Sequence, residues 1–495
     1  MKVLVANRGE IALRILRTCR ELGFPGVAVY SDADREALHT RYADEAVYLG
    51  PTPAAESYLN TAAVLKAALE CGAEAIHPGY GFLSENSGFA HAVEEAGLKF
   101  IGPRPETIEL TGDKLAARRI ARQAGLPVLP GPDIPIHDAI PTDLQEQVHF
   151  PVLIKAVAGG GGRGIRLANS LDELNGMITA ARAEAMAAFG DDTVYLEPLV
   201  QQARHLEVQV LGDGNGCFTI IGERECSIQR RRQKLIEESP APGISNKLRH
   251  KLFHDALKLC EALNYRSLGT VEFLLDDKGH YYFIEVNPRI QVEHPITEAV
   301  YAVDLVAAQL QLAAEGSLRY TQDQITPRGS AIEARILAED PEMGFLPATG
   351  DITYLRFPGG PGIRIDSSLY TGMPVTADYD SLIAKVIAWG EDRDLAIRRL
   401  RRAFKELQIG GIPTDIDFLS QVVDSESFIE GRANTTYLDH FQPSRPSEEE
   451  ALEKEAALAA AILTYTSALE NHAAQPVATD YWQVTAWREQ MHGLI

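Results

Sequence analysis

The sequence has no long uninterrupted apolar run. No stretch of its 495 residues approaches the roughly 18 apolar residues that a membrane span requires. The amino-terminal segment MKVLVANRGEIALRIL reaches charged residues at once, unlike a secretory signal peptide. We therefore expect no membrane association and predict a cytoplasmic location.

Cysteine and positive charge are also scarce. The five cysteines are scattered, with no CxxC pair and no Cys/His cluster at zinc spacing, so we predict reduced and mostly buried thiols. The 69 acidic residues outnumber the 47 basic ones, giving a net charge of -22. This balance argues against nucleic acid as a partner, and it means that an anionic substrate needs a local basic pocket.

The length suggests about three domains. Between Val3 and about Pro103, short apolar runs alternate with helical patterns, which predicts a parallel sheet. Its first turn, around Gly9, lacks the remaining glycines of a dinucleotide-binding fingerprint. A segment rich in Pro and Asp, 127–143, then connects to a mixed α+β region that could close over a ligand.

Strand patterns return from about Gly329 and predict a third domain of mixed structure. The last fifty residues begin with an Ala-rich amphipathic helix. Two interpretations stay open for this tail: packing on its own body, or a docking element for a partner subunit.

The hairpin TVEFLLDDKGHYYFIEVN carries the sharpest chemical signal. If its turn centres on Lys278-Gly279, Glu272 lies opposite Glu285, with Cβ atoms about 5 Å apart. Asn287 lies on the same face, and this all-oxygen set suits Mg²⁺ or Mn²⁺ with phosphate oxygens. The alternative is an edge hairpin whose acids face water.

A second signal is Lys155 followed by a glycine-rich run, 158–164, between two strand patterns. The lysine precedes the glycines, so this is not a Walker loop. We interpret it as a hairpin lid whose backbone N–H groups approach phosphate, the alternative being a plain flexible loop.

Two further segments carry charge. In NPRIQVEHPITE, Arg289 could bind a small carboxylate-like anion and Glu293 could take a proton from it, unless they form an ordinary surface ion pair. The basic cluster 229–234 could form the positive pocket, although such runs are usually solvated.

Taken in order, many short motifs resemble the biotin carboxylase family of ATP-grasp ligases over about residues 1–445. The motifs are ANRGEIALRI, HPGYGFLSEN, GDK, KAVAGGGGRGIR, RHLEVQVL, CSIQRR, EESPAPG, VEF, FIEVNPRIQVEHPITE, IEARILAEDP and YDSLIAKVI. The resemblance implies that ATP phosphorylates bicarbonate to carboxyphosphate, whose CO₂ is captured by N1 of biotin.

The resemblance also implies a fold and its boundaries. It predicts a Rossmann-like amino-terminal domain (1–112), an ATP-grasp domain (113–328) with a mobile glycine-rich lid subdomain (about 130–203), a mixed carboxy-terminal domain (329–445) and the helical tail (446–495).

Site residues carry over motif by motif. The ATP contacts implied are Lys114, Lys155, Gly161, Gly162, Glu197, Leu199, His205, Gln229, Arg232, Glu272 and Glu285. The metal ligands implied are Glu272, Glu285 and Asn287, holding two Mg²⁺ or Mn²⁺ ions during turnover. The bicarbonate contacts implied are Lys234, Arg289, Gln291 and the backbone of Val292. Arg289, Glu293, Lys234 and Arg335 are the implied catalytic residues; Glu293 is the general base, Arg335 stabilises the biotin enolate, and Tyr80 contacts biotin.

Two positions differ from the common family pattern. Arg232 stands where a His is expected, and Glu197-Pro198-Leu199 replaces Glu-Lys-Tyr. Arg232 can still hold phosphate, whereas Pro198 removes a backbone N–H, so the adenine site should depend on backbone groups and apolar packing.

The chain has no Met-Lys-Met biotinylation signature and nothing resembling a carboxyltransferase. The resemblance therefore implies biotin on a separate carrier protein, or on a region outside this sequence, together with a carboxyltransferase partner and a homodimer. The final acceptor, acetyl-CoA, another acyl-CoA or pyruvate, is left open.

Three rival functions explain the sequence less well. Another ATP-grasp ligase would share the lid and the hairpin but has no reason to carry HPGYGFLSEN or Arg335. A regulatory subunit without catalysis would be expected to have lost one of four residues that are all present: Glu272, Glu285, Lys234 and Arg289. A dehydrogenase lacks its glycine fingerprint here.

Overall fold

In the computed structural model of the chain, the structure describes residues 1–137, 140, 148–158, 165–444, 452 and 456–466. The chain divides into two compact units, Met1–Gln442 and Pro443–Ile495. No helix within the described ranges is long and apolar enough to cross a membrane. All five cysteines are free thiols, and three of them are buried, as predicted.

The first 112 residues build the predicted parallel sheet, with strand order β3-β2-β1-β4-β5. Its strands are β1 Val3–Val5, β2 Gly26–Ser31, β3 Glu45–Gly50, β4 Ala75–His77 and β5 Lys99–Phe100. The helices between and after them are α1 Gly9–Glu21, α2 Leu38–Tyr42, α3 Thr61–Glu70, α4 Ser87–Glu95 and α5 Pro105–Gly112, with 3₁₀ turns at Asp32–Asp34 and Ala54–Glu56. The side-chain amide of Asn7 donates to the carbonyls of Pro78 and Tyr80, at 2.8 and 2.7 Å, and so joins the loops that follow β1 and β4.

A small antiparallel sheet of order β7-β6-β8 follows helix α6 (Lys114–Gln123). Its elements are β6 Val152–Ala156, β7 Arg166–Ala168, α7 Leu171–Phe189 and β8 Val194–Pro198. Because β6 and β7 pair antiparallel, the predicted hairpin around the glycine run is confirmed. The glycines themselves, Gly161 and Gly162 among them, lie outside the described residues.

An antiparallel sheet of eight strands, in the order β13-β12-β9-β10-β11-β14-β21-β19, carries most of the candidate site. The remaining strands are β9 Arg204–Asp213, β10 Phe218–Arg230, β11 Gln233–Ser239, β12 Arg266–Leu275, β13 Tyr281–Asn287, β14 Ser330–Leu337, β15 Glu339–Asp340, β16 Leu346–Pro347, β17 Gly350–Asp351, β18 Tyr354–Arg356, β19 Ile363–Ser367, β20 Pro374–Val375, β21 Leu382–Gly390 and β22 Gln408–Gly410. The described residues also form three two-stranded pairs, β15–β16, β17–β20 and β18–β22.

Helices pack against this sheet. They are α8 Asn246–Ala262, α9 His294–Tyr301, α10 Leu305–Glu315, α11 Arg393–Glu406, α12 Ile416–Asp424, α13 Glu426–Ile429 and α14 Tyr437–His440, with a 3₁₀ turn at Gln322–Gln324. Strands β14, β19 and β21, which follow residue 329, extend the sheet begun by β9 to β13. The sheet is therefore continuous across the predicted boundary at 328/329, and the domain boundaries stay predictions.

The second unit contains a helical segment, 456–466. Its apolar side chains Leu458, Ile462, Leu463 and Tyr465 are each more than half exposed. The two interpretations of the tail both stay open, and its other residues, apart from Pro443, Ser444 and Leu452, lie outside the described part of the chain.

Candidate active site

Two acidic side chains face each other on the hairpin β12–β13. Glu272 pairs directly with Glu285, and Asn287 lies two residues further along the same strand, as the sequence predicts. All three are largely buried or half-buried. The candidate metal ligands therefore occupy one face at one end of the eight-stranded sheet.

The predicted turn of this hairpin is wrong, although its consequence is right. Near the loop, Phe273 pairs with Phe283, and the Asp276 N–H donates to the carbonyl of His280 at 2.8 Å, so the loop has three residues. Ile284 is an extra residue in β13 and forms a bulge. This single-residue insertion compensates for the longer loop and restores the opposition of the two acids.

The Glu272 carboxylate is surrounded by donors. Its Oε1 accepts from Lys234 Nζ at 3.0 Å, Asn287 Nδ2 at 2.8 Å and Gln291 Nε2 at 3.0 Å, and its Oε2 lies 2.8 Å from His205 Nε2. Burial alone would raise the pKa of Glu272, but Lys234 and His205 outweigh it and hold that pKa well below its usual range. Glu272 is therefore an ionised carboxylate near neutral pH.

Glu285 has the opposite character. Burial raises the pKa of Glu285, and repulsion from Glu272 adds to the rise, although Lys114 opposes it. A divalent cation between the two carboxylates would offset this repulsion. With the Asn287 oxygen, they present a hard oxygen donor set, so the residues present fit Mg²⁺ or Mn²⁺.

Lys234 is the centre of the site. Its Nζ contacts carboxylate oxygens of Glu207 at 2.6 Å, Glu293 at 2.7 Å and Glu272 at 3.0 Å. Burial would lower the pKa of Lys234, but the adjacent thiol of Cys226 and the three carboxylates raise it well above its usual value. The ammonium is therefore a fixed positive charge shared by three buried acids.

The basic cluster 229–234 divides between the site and the surface. The Lys234 side chain is half-buried and contacts three buried acids, and Gln229 Nε2 lies 2.7 Å from His205 Nδ1, so both residues lie in the site. Arg231 and Arg232 form the exposed turn between β10 and β11, each with a positive φ. Only part of the predicted positive pocket therefore comes from this cluster, and the ATP contact predicted for Arg232 stays a prediction.

Glu293 precedes helix α9 and links two cations. Its Oε1 accepts from Lys234 at 2.7 Å, and its Oε2 accepts from Arg335 Nη2 at 3.0 Å. Burial pushes the pKa of Glu293 upward, but Lys234, Arg335 and Arg224 outweigh it and hold the pKa well below its usual range. An ionised carboxylate with two cationic neighbours can accept a proton from a substrate held among them.

The segment leading to Glu293 contains the other predicted anion contacts. Arg289 donates to Glu85 at 2.5 Å and to Asn287 Oδ1 at 2.9 Å. It is therefore not confined to a surface ion pair, because it also contacts one of the candidate metal ligands. Gln291 is buried between Glu272, to which it donates, and Arg224, from which it accepts. The Val292 carbonyl accepts from Lys385 at 2.9 Å.

Lys155 lies on β6, at the opening of the glycine hairpin. Its Nζ donates to the Glu197 carboxylate at 2.6 Å, and Glu197 also contacts Arg118 at 3.4 Å and the hydroxyl of Tyr195 at 3.1 Å. Burial raises the pKa of Glu197, but Lys155 and Arg118 reverse the shift and lower it. Lys155 and Glu197 are therefore a buried ion pair.

In the segment Glu197–Leu199, where the adenine site is expected, one backbone N–H is used in a hydrogen bond within the protein. The Leu199 N–H donates to the carbonyl of Pro151 at 3.2 Å. At the start of α6, the Lys114 N–H donates to the Val157 carbonyl at 3.2 Å, which fixes that lysine beside the end of β6. A nucleotide contact at Leu199 would thus involve groups other than its N–H.

Sequence reasoning missed two charged residues that organise the site. Glu207 on β9 lies opposite both Glu272 and Arg224, and it contacts the Arg224 guanidinium and Lys234. Arg224, fully buried, also donates to Gln291 at 2.7 Å. A signal was available in RHLEVQVL, where polar residues 205, 207 and 209 alternate with apolar ones and so share one face.

Arg335 on β14 lies at the other side of Glu293. Its Nε donates to Glu237 at 2.6 Å while Nη2 contacts Glu293. Tyr80, predicted to contact biotin, donates its hydroxyl to Glu10, and Glu10 is paired with Lys385 at 3.0 Å. Tyr80 thus belongs to the neighbouring charged network that reaches Val292 through Lys385.

Three family models match consecutive parts of this chain. They describe the biotin carboxylase N-terminal domain over residues 1–108, the carbamoyl-phosphate synthase L chain ATP binding domain over 113–321, and the biotin carboxylase C-terminal domain over 333–440. Together they span most of the first compact unit.

Individual proteins are similar over nearly their whole length. A biotin carboxylase of Nostoc sp. is 49% identical over 89% of this chain and 99% of its own. A pyruvate carboxylase subunit from Methanothermobacter thermautotrophicus is 46% identical over 92% of each chain. These matches confirm the relationship that the ordered motifs predict.

A solved structure shares the fold. The biotin carboxylase domain dimer of Hydrogenobacter thermophilus 2-oxoglutarate carboxylase, in complex with MgADP, ADP and bicarbonate, superimposes with a TM-score of 0.85 at 44% identity. The similarity covers 88% of this chain and 97% of that one. The predicted multidomain α/β and α+β fold with an ATP-grasp centre is therefore confirmed.

Proposed function

The chain belongs to the biotin carboxylase family, and from this premise we propose that it catalyses the first half-reaction of an acyl-CoA or pyruvate carboxylase. ATP, bicarbonate and carrier-bound biotin give carboxybiotin, ADP and phosphate. The observation that carries the proposal is Glu293, whose two oxygens contact Lys234 and Arg335. One carboxylate thus lies between the cation beside the metal ligands and the cation proposed to serve biotin.

Nucleotide binding uses the edge of the site nearest the glycine hairpin. Lys155 and Lys114 neutralise phosphate charge there, while His205, Gln229, Glu197 and Leu199 contact the nucleotide together with Arg232, Gly161 and Gly162. Glu272, Glu285 and Asn287 would hold Mg²⁺ or Mn²⁺, two ions during turnover. When bound, the ions neutralise the charge that develops on the transferred phosphoryl group.

Bicarbonate binds between Lys234 and Arg289, with Gln291 and the backbone of Val292 completing its contacts. The short distances from Lys234 to its three acids support this assignment, because an entering anion can share an ammonium already fixed in place. Glu293 takes the proton of bicarbonate, and the freed oxygen attacks the γ-phosphorus as ADP leaves. The resulting carboxyphosphate releases CO₂ and phosphate.

Biotin enters beside Arg335 and Tyr80. N1 of biotin is a poor nucleophile, because its lone pair is delocalised into the ureido carbonyl. The phosphate released from carboxyphosphate takes the proton of N1. As N1 loses that proton, negative charge develops on the ureido oxygen, and N1 then bonds to the carbon of CO₂. The Arg335 guanidinium stabilises that charge. Its side chain is largely buried and held by Glu293, so it need not move as the charge develops.

The remaining partners follow from the family. Biotin arrives on a biotin carboxyl carrier protein, and a carboxyltransferase subunit takes the carboxyl group to acetyl-CoA, another acyl-CoA or pyruvate. A homodimer is proposed in the light of the Hydrogenobacter domain dimer. A cytoplasmic location is proposed on the same family basis.

Release of ADP by the purified chain tests the function. With ATP, Mg²⁺ and bicarbonate, a high concentration of free biotin should stimulate ADP release, and omission of bicarbonate should abolish the stimulation. Glu293→Ala should lose it as well. ADP release that is indifferent to biotin would favour another ATP-grasp ligase.

A further inference from the structure

Two buried acids behind Arg335 have no role in the reaction described above. Glu237 on β11 and Glu333 on β14 are directly opposite each other in the sheet, and neither side chain is exposed. Two ionised carboxylates in this arrangement repel each other, and burial makes the repulsion costly. The protein must therefore compensate the pair in some way.

The hydrogen bonds of the pair are incomplete. Glu237 Oε1 accepts from Arg335 Nε at 2.6 Å. Within the described part of the chain, Glu237 Oε2 and both oxygens of Glu333 receive no hydrogen bond. Three buried carboxylate oxygens on two facing side chains thus lack a donor.

The nearest cations are committed elsewhere. Lys385 on β21 contacts Glu10 at 3.0 Å and the Val292 carbonyl at 2.9 Å. Arg335 contacts Glu237 and Glu293. An ionised Glu333 would consequently be a buried charge without an ion-pair partner, which is among the most expensive arrangements in a protein interior.

A single proton on the pair would supply a hydrogen-bond donor and would also remove the uncompensated charge of Glu333. We propose that Glu333 is a carboxylic acid that donates its O–H to Glu237 Oε2, and that this pair positions the Arg335 guanidinium for biotin. Glu237 is then held by one hydrogen bond on each oxygen, and its ion pair with Nε fixes the plane of the guanidinium. The proposal rests on the function proposed above for Arg335, and it makes Glu333 a positioning residue.

The electrostatic surroundings agree with this protonation. Burial raises the pKa of Glu333 well above its usual value; Lys385 opposes the rise and Glu237 adds to it. Burial likewise raises the pKa of Glu237 to about 7, against the opposing effect of Arg335. The other charged groups facing the pair are Glu293, before α9, and Lys234, on β11. The pair therefore retains its proton more firmly on Glu333.

Kinetics separate positioning from a purely structural role. Glu333→Leu removes the donor and should lower biotin-dependent kcat about tenfold, the effect of one hydrogen bond to a charged group. ADP release that needs bicarbonate but not biotin should stay within about twofold of wild type, since Lys234 and Arg289 are untouched. Glu333→Gln keeps a donor and should restore biotin-dependent turnover to within about twofold.

Three kinetic results would overturn the inference. They are wild-type biotin turnover in Glu333→Leu, equal loss of biotin-free ADP release in that variant, or a Glu333→Gln variant as impaired as Glu333→Leu. If the wild-type chain itself shows no biotin-stimulated turnover, the proposed function fails instead, so the two failures are distinguishable.

Infrared difference spectroscopy tests the proton directly and needs no activity. At about pH 8, where an ordinary carboxyl is ionised, Glu333→Gln should remove a carbonyl stretch of a protonated carboxylic acid from the wild-type spectrum. Glu298→Gln is the matched control, because Glu298 is a buried acid whose pKa, pushed up by burial, is lowered to about 2 by Arg14 and Arg364. Loss of an ionised carboxylate band in Glu333→Gln, as in the control, would overturn the inference.

Discussion

Replacing Lys234 with methionine removes the ammonium that three buried carboxylates share. The lost contacts join Nζ to Glu207 at 2.6 Å, Glu293 at 2.7 Å and Glu272 at 3.0 Å. Removing one partner of a buried ion pair costs about 3–5 kcal/mol, because the remaining charge loses its compensation. We expect a loss of this size in the free energy of unfolding near neutral pH, as well as loss of bicarbonate-dependent ADP release.

The sign of the pH dependence follows from Glu293. In the wild type its pKa lies well below the usual value: burial pushes it up, but Lys234 and Arg335 outweigh that push. Its stabilising contribution is therefore present above the unfolded-state pKa of about 4.3 and lost as pH falls through the folded-state pKa. Without Lys234 the folded-state pKa of Glu293 rises, so folded Glu293 binds a proton at higher pH in the variant than in the wild type, and the stability deficit of the variant shrinks as pH falls.

Urea unfolding at several pH values measures this effect. The stability difference between wild type and Lys234→Met should be largest near neutral pH and should narrow toward acid pH. Lys278→Met is the matched control, because Lys278 is exposed on the hairpin loop and should change stability by no more than about 0.5 kcal/mol. A Lys234→Met difference below about 1 kcal/mol, or one independent of pH, would refute the reasoning.

Three other variants test separate parts of the site. Glu285→Gln should raise the Mg²⁺ concentration for half-maximal turnover at least about tenfold. The metal-free variant should be no less stable than wild type, because the substitution removes the repulsion with Glu272. A Mg²⁺ dependence equal to that of wild type would contradict the assignment of Glu285 as a metal ligand. Arg335→Lys should lower biotin-dependent kcat about a hundredfold while sparing biotin-free ADP release, because a lysine ammonium cannot reproduce the planar guanidinium that bonds two carboxylates at once. Equal loss of both activities would mean that Arg335 does not act in the biotin step. Lys155→Met should raise KM for ATP about tenfold or more, because it removes the proposed contact to phosphate. It should also destabilise the chain, because Glu197 then keeps only Arg118 as a cationic partner. An unchanged KM for ATP would exclude the contact between Lys155 and phosphate.

The parallel sheet and the acidic hairpin could be predicted because each depends on a local pattern. Alternation of apolar and helical runs marked β1, β2, β4 and β5 but not β3, and the turn residues marked β12 and β13. The loop length was not predictable in this way, because the bulge at Ile284 depends on how the strand packs rather than on a residue type. The opposition of Glu272 and Glu285 was correct because the bulge cancels the error in the loop.

The charged layer around Lys234 was only partly predictable. Glu207 and Arg224 come together through the pairing of β9 with β10 and β12, which a single sequence does not specify. Each is one of several polar residues in its strand, so the strand sequence alone does not single it out. Glu333 and Lys385 were missed for the same reason, since their significance lies in neighbours that are distant in the chain. Local sequence patterns thus indicate where strands lie, whereas the site depends on which strands are neighbours in the sheet.

Transfer of oxygen from isotopically labelled bicarbonate to phosphate tests the central claim most directly. If bicarbonate is phosphorylated between Lys234 and Glu293, the phosphate released during biotin carboxylation should carry one oxygen from bicarbonate, and Glu293→Gln should abolish the labelled product. Unlabelled phosphate, formed at the wild-type rate with bicarbonate and biotin present, would mean that water attacks ATP instead and would contradict the account.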